Sequence, residues 1–155
     1  MKIGFGFDAH ILEAARPLKL GGVEISFPRG LRGHSDGDVV LHALSDAILG
    51  ASAKGDIGVF FRDDDRSIDG IDSRKILSFS IDAARESALR ITNIDLVIVA
   101  DNPRLSPHYT ELRESIAGLC KVPLTVVSVK SKTAEGTLVG ADSIACFASV
   151  LMEEL

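Results

Sequence analysis

The chain has 155 residues with 17 basic and 22 acidic side chains, which gives a net charge of −5 at pH 7. This acidic balance, with lysines and arginines scattered along the chain, argues against nucleic-acid binding. No apolar run approaches the ~18 residues that a membrane-spanning helix needs. The length fits one domain over residues 1–155, and a hydrophobic fraction of 46% supports a core that is mainly aliphatic, because aromatic residues make up only 5%.

The N-terminus and the cysteines indicate where the protein works. The first ten residues, MKIGFGFDAH, reach the charged Asp8 too early for the apolar run of a signal peptide. Cys120 and Cys146 lie among apolar residues without CxxC spacing. We therefore expect two buried thiols in a cytoplasmic protein, since the cytosol keeps cysteines reduced.

Hydrophobic periodicity predicts the first elements in chain order. Residues 1–8 alternate apolar and small side chains, which predicts a strand. The segment 17–26, PLKLGGVEIS, predicts a hairpin around its two glycines. Residues 39–53 predict a helix that is apolar on most sides and therefore buried, with Asp36 or Asp38 as its N-cap.

The later elements complete an α+β pattern. They are a helix over 72–90, a strand over 94–100, a helix over 106–119, and strands over 124–130 and 143–152. This order predicts a single sheet with helices packed on one face. The other face would then lack cover, and the apolar alternation of the last strand suggests that an oligomer buries it.

Two histidines and a carboxylate form a candidate metal site. Asp8 and His10 are two residues apart on a predicted strand, so their side chains point to the same side. His42 interrupts the apolar helix, where an unpaired polar group costs a few kcal/mol. These three residues could hold Zn²⁺ with an open fourth position, and Asp46, one turn from His42, could orient that ring. The alternative is a hydrogen-bonded core histidine beside an exposed Asp-x-His.

Three loops could bind phosphates or cations. The segment 34–38, HSDGD, precedes a helix and is either a phosphate-binding loop or an ordinary capping loop. The acidic loop 56–65 could hold Mg²⁺ or a ribose diol, or could simply be solvated. In VKSKTAEG, Lys132 and Thr133 suit phosphate oxygens and Glu135 suits a cation, although a charged turn is the alternative. No dinucleotide-binding or P-loop motif is present.

Taken together, six segments resemble one known family. GFGFDAH, GLRGHSDGDVVLHALSDAILGA, GDIGVFF, IDSRKIL, DNPRLSPH and VKSKTAE stand in the order, and nearly the spacing, of the 2-C-methyl-D-erythritol 2,4-cyclodiphosphate synthase family. The resemblance runs almost end to end, and the stretch from HSDGD to HALSDAILGA is its most specific part. It implies an α+β homotrimer with active sites at the subunit interfaces.

The resemblance also implies a reaction and its metals. The 2-phosphate of 4-diphosphocytidyl-2-C-methyl-D-erythritol 2-phosphate would attack the β-phosphate, release CMP and close a cyclic diphosphate, which is phosphorus–oxygen lyase chemistry in the non-mevalonate isoprenoid pathway. One Zn²⁺ per subunit would bind Asp8, His10 and His42, in agreement with the site suggested above. Mg²⁺ or Mn²⁺ would lie between the diphosphate and Glu135. Such chemistry mainly needs two phosphates brought together and neutralised.

Individual site residues follow from the same resemblance. His34 and Thr133 would flank the reacting phosphates as catalytic residues, and Ser35 would bind the erythritol phosphate. The first group of substrate-binding positions, around the metal and the erythritol part, is Asp8, Ala9, His10, Asp56, Ile57, Gly58, Phe61, Arg62, Asp63, Asp64 and Asp65. The second group, provided by the neighbouring subunit around the cytidine and its phosphates, is Ala100, Asp101, Asn102, Pro103, Arg104, Leu105, Ser106, Lys132, Thr133, Ala134 and Glu135.

The chain departs from the family pattern at a few positions. Lys132 and Arg104 replace a common Thr and Lys, and both keep or add positive charge near phosphates. Asp69 stands where Lys is common, so the acidic loop could close differently. The turn 136–143, GTLVGADS, is short and has no arginine, and Asp142 is its nearest charge. We therefore expect weak or no binding of an isoprenoid diphosphate on the trimer axis, which that arginine serves in relatives.

Two other functions stay open at this point. A metal-dependent hydrolase of cytidine diphosphate esters would give open-chain phosphates instead of a cyclic diphosphate and CMP. A non-catalytic trimeric binding module would be expected to lose some of the metal and phosphate residues, and this chain retains all of them.

Overall fold

The computed structural model describes residues 1–62, 64, 69–137 and 142–155. Its strands are β1 (Lys2–Ala14), β2 (Leu18–Leu20), β3 (Val23–Ile25), β4 (Arg29–Leu31), β5 (Leu89–Ala100), β6 (Val127–Lys132) and β7 (Ser143–Glu154). Its α-helices are α1 (Val39–Ala51), α2 (Ile57–Phe60), α3 (Ser73–Glu86) and α4 (Tyr109–Cys120). Short 3-10 turns precede α4 and β6.

A mixed five-stranded sheet organises the chain. The strand order is β4-β1-β7-β5-β6, and β2 and β3 form a separate hairpin. β7 is antiparallel to both β1 and β5, whereas β5 and β6 are parallel. Helices α1, α3 and α4 pack on one face of the sheet. The predicted α+β architecture is therefore confirmed, and so is the hairpin.

Several predicted boundaries were wrong. β1 continues to Ala14 instead of ending at residue 8. Helix α3 ends at Glu86 instead of residue 90, because Ala88 turns with a positive φ of 54° and the buried Leu89 already starts β5. β6 begins at Val127, after the 3-10 turn, and not at residue 124. The short elements β4 and α2 were not predicted.

The core is aliphatic and lies between the sheet and the helices. Leu41, Leu44 and Ile48 of α1 are fully buried against strand residues such as Leu96. Cys120 and Cys146 are buried free thiols, as predicted, and burial raises the pKa of the Cys120 thiol to about 12. At neutral pH both groups are therefore protonated, unreactive core residues.

Two glycines set the distance between β1 and α1. A Cβ atom at Gly4 would lie 1.7 Å from the carbonyl oxygen of Ala47, and one at Gly6 would lie 1.9 Å from that of Ala43. Both positions thus lack room for a methyl group, and the backbones of strand and helix touch directly. This contact fixes the height of α1 above the sheet.

Asp38 joins the start of α1 to the β2–β3 hairpin. Its carboxylate is buried and accepts N–H bonds from Val40 and Leu41 in the first helical turn, both at 3.1 Å. It also accepts N–H bonds from Gly21 at 2.8 Å and Gly22 at 2.7 Å in the hairpin turn. Burial raises the pKa of this carboxyl, against the lowering effect of the N–H donors of Gly22, Leu41 and Gly21.

We expect Asp38→Ala to lower the free energy of unfolding by about 3 kcal/mol or more. The change removes an N-cap, worth about 1 kcal/mol, and leaves hairpin N–H groups without their acceptor, at about 1–3 kcal/mol each. Urea unfolding followed by circular dichroism measures the loss. Asp72→Ala is the matched control, because Asp72 caps α3 on the surface and should cost only about 1 kcal/mol. Equal losses for the two variants would contradict the joining role of Asp38.

Candidate metal centre and active-site cavity

Three donor atoms converge where β1 passes under α1. The Oδ2 atom of Asp8 lies 2.8 Å from Nε2 of His10 and 2.9 Å from Nδ1 of His42, and the two ring nitrogens are 3.4 Å apart. Ligands about 2.0–2.1 Å from a tetrahedral metal are roughly 3.3 Å from one another. A carboxylate and two imidazoles at these separations fit a divalent ion such as Zn²⁺.

The local fold brings these donors together. Gly4, Gly6, Asp8 and His10 alternate along the face of β1 that lies under α1. The glycines let the helix approach the strand, and Asp8 and His10 follow where the two elements leave a space. His42 points from the helix into that space and is only 6% exposed. The structure brings the three predicted side chains together, with ligand atoms within 4.8 Å of one another, in an arrangement that could hold a metal ion.

The Asp8 carboxylate and the His42 imidazole stabilise each other's charged forms. Burial raises the pKa of Asp8, but the hydrogen bonds and charges of His10 and His42 outweigh it and hold that pKa well below its usual range. Burial lowers the pKa of His42, but the hydrogen bond and charge of Asp8 outweigh it, so that pKa is raised. The site therefore keeps Asp8 ionised as a metal ligand requires.

The outer partners of His42 differ from those predicted. Nε2 of His42, which faces away from Asp8, lies 2.9 Å from the Ser73 hydroxyl and 3.1 Å from the Ser35 hydroxyl. Asp46, expected to orient this ring, instead accepts the N–H of Ile57 at 2.8 Å. The prediction for Asp46 was wrong because its carboxylate turns toward the start of α2, and two serines take its place.

A cavity of about 590 Å³ opens beside the donor cluster of Asp8, His10 and His42. The sequence-predicted residues that line it are Asp8, His10, His34, Ser35, His42, Asp46, Asp56, Ile57, Gly58 and Phe61. Sequence reasoning missed four further lining residues: Arg32, Gly33, Ile71 and Ile76. Arg32 and Gly33 directly precede His34, so their place in that loop was the available signal. Ala9 points to the other sheet face, and its N–H donates to Asp8 Oδ1.

The second group of predicted positions lies elsewhere in the same chain. Of the described residues, none in 100–106 or 132–135 lines the cavity. Ala9 of β1 is in register with Lys132 of β6 through β7 and β5, so three inter-strand spacings, roughly 14 Å, separate them. Loops 100–106 and 132–135 do contact each other, because Asp101 Oδ1 accepts the N–H of Ala134 at 2.8 Å.

The exposed residues of this second group include a paired hydroxyl and carboxylate. Thr133 donates a short hydrogen bond to Glu135, and both side chains are exposed. Neither group has a described partner in the cavity of its own chain. Their oxygens are therefore exposed at that end of the sheet.

Two predicted segments fall partly outside the described residues. In the acidic loop, Arg62 and Asp64 form an exposed ion pair at 2.8 Å, whereas Asp63 and Asp65 lie outside the described residues. In the shortened turn, residues 138–141 also lie outside them. Asp142 is described, and its carboxylate accepts a hydrogen bond from Arg29 at 2.6 Å.

Comparisons with known proteins give one consistent result. The YgbB family matches residues 1–153. Two curated relatives are both 2-C-methyl-D-erythritol 2,4-cyclodiphosphate synthases. The one from Idiomarina loihiensis is 46% identical over 99% of this chain and 98% of the relative. The one from Aquifex aeolicus is 43% identical over 100% of this chain and 99% of the relative. A solved structure of such a synthase in a CDP-bound form has a TM-score of 0.91 and 36% identity, over 98% of this chain and all of the other. No helix in the described part of the chain is long and apolar enough to cross a membrane.

Proposed function

This chain belongs to the YgbB family of 2-C-methyl-D-erythritol 2,4-cyclodiphosphate synthases, and we propose how its residues carry out the cyclisation. The enzyme converts 4-diphosphocytidyl-2-C-methyl-D-erythritol 2-phosphate to 2-C-methyl-D-erythritol 2,4-cyclodiphosphate and CMP, in isoprenoid biosynthesis. The observation that carries the proposal is the donor cluster of Asp8, His10 and His42, which opens directly into a cavity of about 590 Å³.

The reaction is an intramolecular phosphoryl transfer. An oxygen of the 2-phosphate forms a bond to the β-phosphorus, and the bond from that phosphorus to the bridging oxygen breaks. CMP leaves with the electron pair, which makes the enzyme a phosphorus–oxygen lyase. Most of the catalysis therefore comes from holding two anionic groups in line and neutralising their charge.

Two cations fit this requirement. Zn²⁺ would be held by Asp8, His10 and His42, and when bound it supplies Lewis-acid stabilisation of phosphate charge. Mg²⁺ or Mn²⁺ would be held with the help of Glu135, whose exposed carboxylate is a hard oxygen ligand. Metal analysis of the purified protein tests the first assignment directly, with one zinc per chain as the expected result.

The chain's own groups position the substrate. His34 is exposed at the mouth of the cavity and Ser35 lies inside it, so they suit the reacting phosphate and the erythritol phosphate. Asp56, Ile57 and Gly58, at the start of α2, would contact the erythritol part. From the neighbouring subunit, Thr133 would contact the phosphates, and the loops 100–106 and 132–135 would hold the cytidine.

A homotrimer accounts for two features of the single chain. The sheet face opposite the helices exposes Ile3, Phe5, Phe7 and Ile11 of β1, with Phe5 66% exposed. Such an apolar face is typical of a subunit interface. The roughly 14 Å across the sheet also keeps the 132–135 loop away from the cavity of its own chain. A neighbouring chain that covers the apolar face and brings its loop to the cavity would satisfy both.

We expect Phe5→Glu to give monomers with little activity. Three carboxylates would have to be buried without partners in the assembled interface, at a cost of several kcal/mol each. Light scattering measures the mass, which should fall from three chains to one. Leu124→Glu is the control, because Leu124 is an exposed apolar residue in the turn before β6 and should leave the trimer intact. A wild-type monomer that is fully active would contradict the shared site.

One experiment tests the function as a whole. The purified enzyme with zinc and Mg²⁺ is incubated with the substrate, and CMP release is read together with the ³¹P spectrum. Equal amounts of CMP and cyclic diphosphate support the proposal. CMP accompanied by open-chain phosphates would identify a hydrolase, and the absence of turnover would favour a non-catalytic binding module.

The two buried free thiols support a cytoplasmic site of action for this chain, because the cytosol keeps cysteines reduced.

A further inference from the structure

Ser73 connects His42 of the donor cluster to the carboxylate of Asp36, which the proposed reaction does not use. Its hydroxyl is fully buried at the first residue of α3. It lies 2.9 Å from Nε2 of His42 on one side and 2.5 Å from Oδ1 of Asp36 on the other. The three groups therefore form a continuous hydrogen-bonded chain behind the His42 ring.

The direction of the protons along this chain follows from the groups at its far end. Oδ1 of Asp36 accepts the N–H of Asp38 at 3.3 Å, and Oδ2 lies 3.6 Å from the ammonium group of Lys19. Oδ1 of Asp36 thus accepts from both neighbours, and Ser73 donates its single hydroxyl proton to it. A serine that has donated its proton can only accept from a second neighbour.

We propose that Ser73 and Asp36 are positioning residues that hold His42 with its proton on Nε2. Nδ1, which faces Asp8 and His10, then carries the lone pair that a metal ion requires. We call this hydrogen-bonded chain of Asp36, Ser73 and His42 the relay, and it rests on the proposed metal site. In it a serine–aspartate pair orients the metal-binding histidine, a role that a carboxylate often plays directly.

A proton on Nε2 of His42 also determines which way the Ser35 hydroxyl can donate its hydrogen bond. Its hydroxyl oxygen accepts the N–H of Gly37 at 3.0 Å and lies 3.1 Å from Nε2 of His42. A protonated Nε2 cannot accept a hydrogen bond, so the Ser35 hydroxyl has no acceptor there. Ser35 lines the cavity, and its proton is available to an anionic ligand such as a phosphate oxygen.

Zinc affinity tests the relay without an activity assay. In competition with a chelator, Ser73→Ala should bind zinc 10- to 100-fold more weakly than the wild type, the usual effect of losing an outer partner of a metal-bound histidine. Ser80→Ala is the matched control, because Ser80 is equally buried in the same helix and its hydroxyl donates to the carbonyl of Ile76, at 3.0 Å, within its own helix. Ser80→Ala should retain wild-type affinity. Equal affinities in wild type and Ser73→Ala would overturn the relay.

The proton on Nε2 of His42 gives a second readout. In ¹⁵N-labelled, zinc-loaded wild type, the Nε2–H signal should exchange slowly with water, because the buried Ser73 hydroxyl accepts this proton. Ser73→Ala and Asp36→Asn should speed this exchange, whereas Ser80→Ala should leave it unchanged. Equal exchange rates in wild type and Ser73→Ala would refute the relay. A wild-type protein that binds no zinc would instead refute the proposed metal site.

Discussion

His42→Ala is expected to lower the rate of cyclisation by at least about 10³-fold and to abolish the zinc binding proposed for the cluster of Asp8, His10 and His42. The imidazole supplies one of three donor atoms, and loss of a metal that stabilises transferring phosphate charge removes several kcal/mol, of which ~4 kcal/mol corresponds to a factor of 10³. Turnover by CMP release and zinc content by elemental analysis measure the two effects on the same preparation.

His108→Ala is the matched control for this prediction. His108 is outside the cavity, in the 3-10 turn before α4, where it lies 3.7 Å from Glu111. Its replacement should change neither the rate nor the zinc content. Full zinc occupancy in His42→Ala would remove His42 from the metal ligands, and an unchanged rate would remove it from the reaction.

Gly6→Ala is expected to cost at least about 3 kcal/mol of unfolding free energy. The new methyl group would overlap the carbonyl oxygen of Ala43, at a distance of 1.9 Å, so α1 must move away from β1. Overpacking of a rigid contact costs about 1–3 kcal/mol or more, and here the opposing atom belongs to a helix backbone. Since His42 is one residue from Ala43, zinc affinity should fall together with stability.

Gly118→Ala shows what the same substitution does where there is room. Gly118 lies in α4, and a Cβ there has no neighbour within 4 Å. Because alanine favours a helix over glycine by about 0.5–1 kcal/mol, this variant should be slightly stabilised. The free energies of unfolding of Gly6→Ala and Gly118→Ala are compared by urea unfolding at one protein concentration. A Gly6→Ala protein as stable as the wild type would show that strand and helix are less tightly coupled than their geometry indicates.

The sequence predicts the parts of the fold in which one residue pattern dominates. Helix α1 is apolar on most sides, and the β2–β3 hairpin has two glycines in its turn, so both were predicted correctly. The second half of β1 was missed because Asp8, His10 and Glu13 line a cavity or form ion pairs, which breaks the alternation of apolar and polar residues. The end of α3 was missed because its last residues favour a helix, and only the burial of Leu89 in the sheet ends it.

The candidate site shows the same division. Asp8 and His10 could be paired from strand geometry, and His42 from the cost of burying a polar group in an apolar helix. Ser73 could not be found this way, because serine at a helix start usually serves the helix itself and its partner is 31 residues away. Asp46 was assigned wrongly for the related reason that helical spacing gives a neighbour's position but not the direction of its side chain.

The exposed apolar face of β1 also affects how stability is measured. If chains associate through this face, folding and assembly are linked, and each chain gains stability from its neighbours by mass action. The midpoint of thermal unfolding should then rise as the protein is concentrated. At constant temperature, dilution should lower the apparent free energy of unfolding of each chain. In that case Phe5, Phe7 and their apolar neighbours would make the concentration of the enzyme one of the factors that determine what fraction of it is folded.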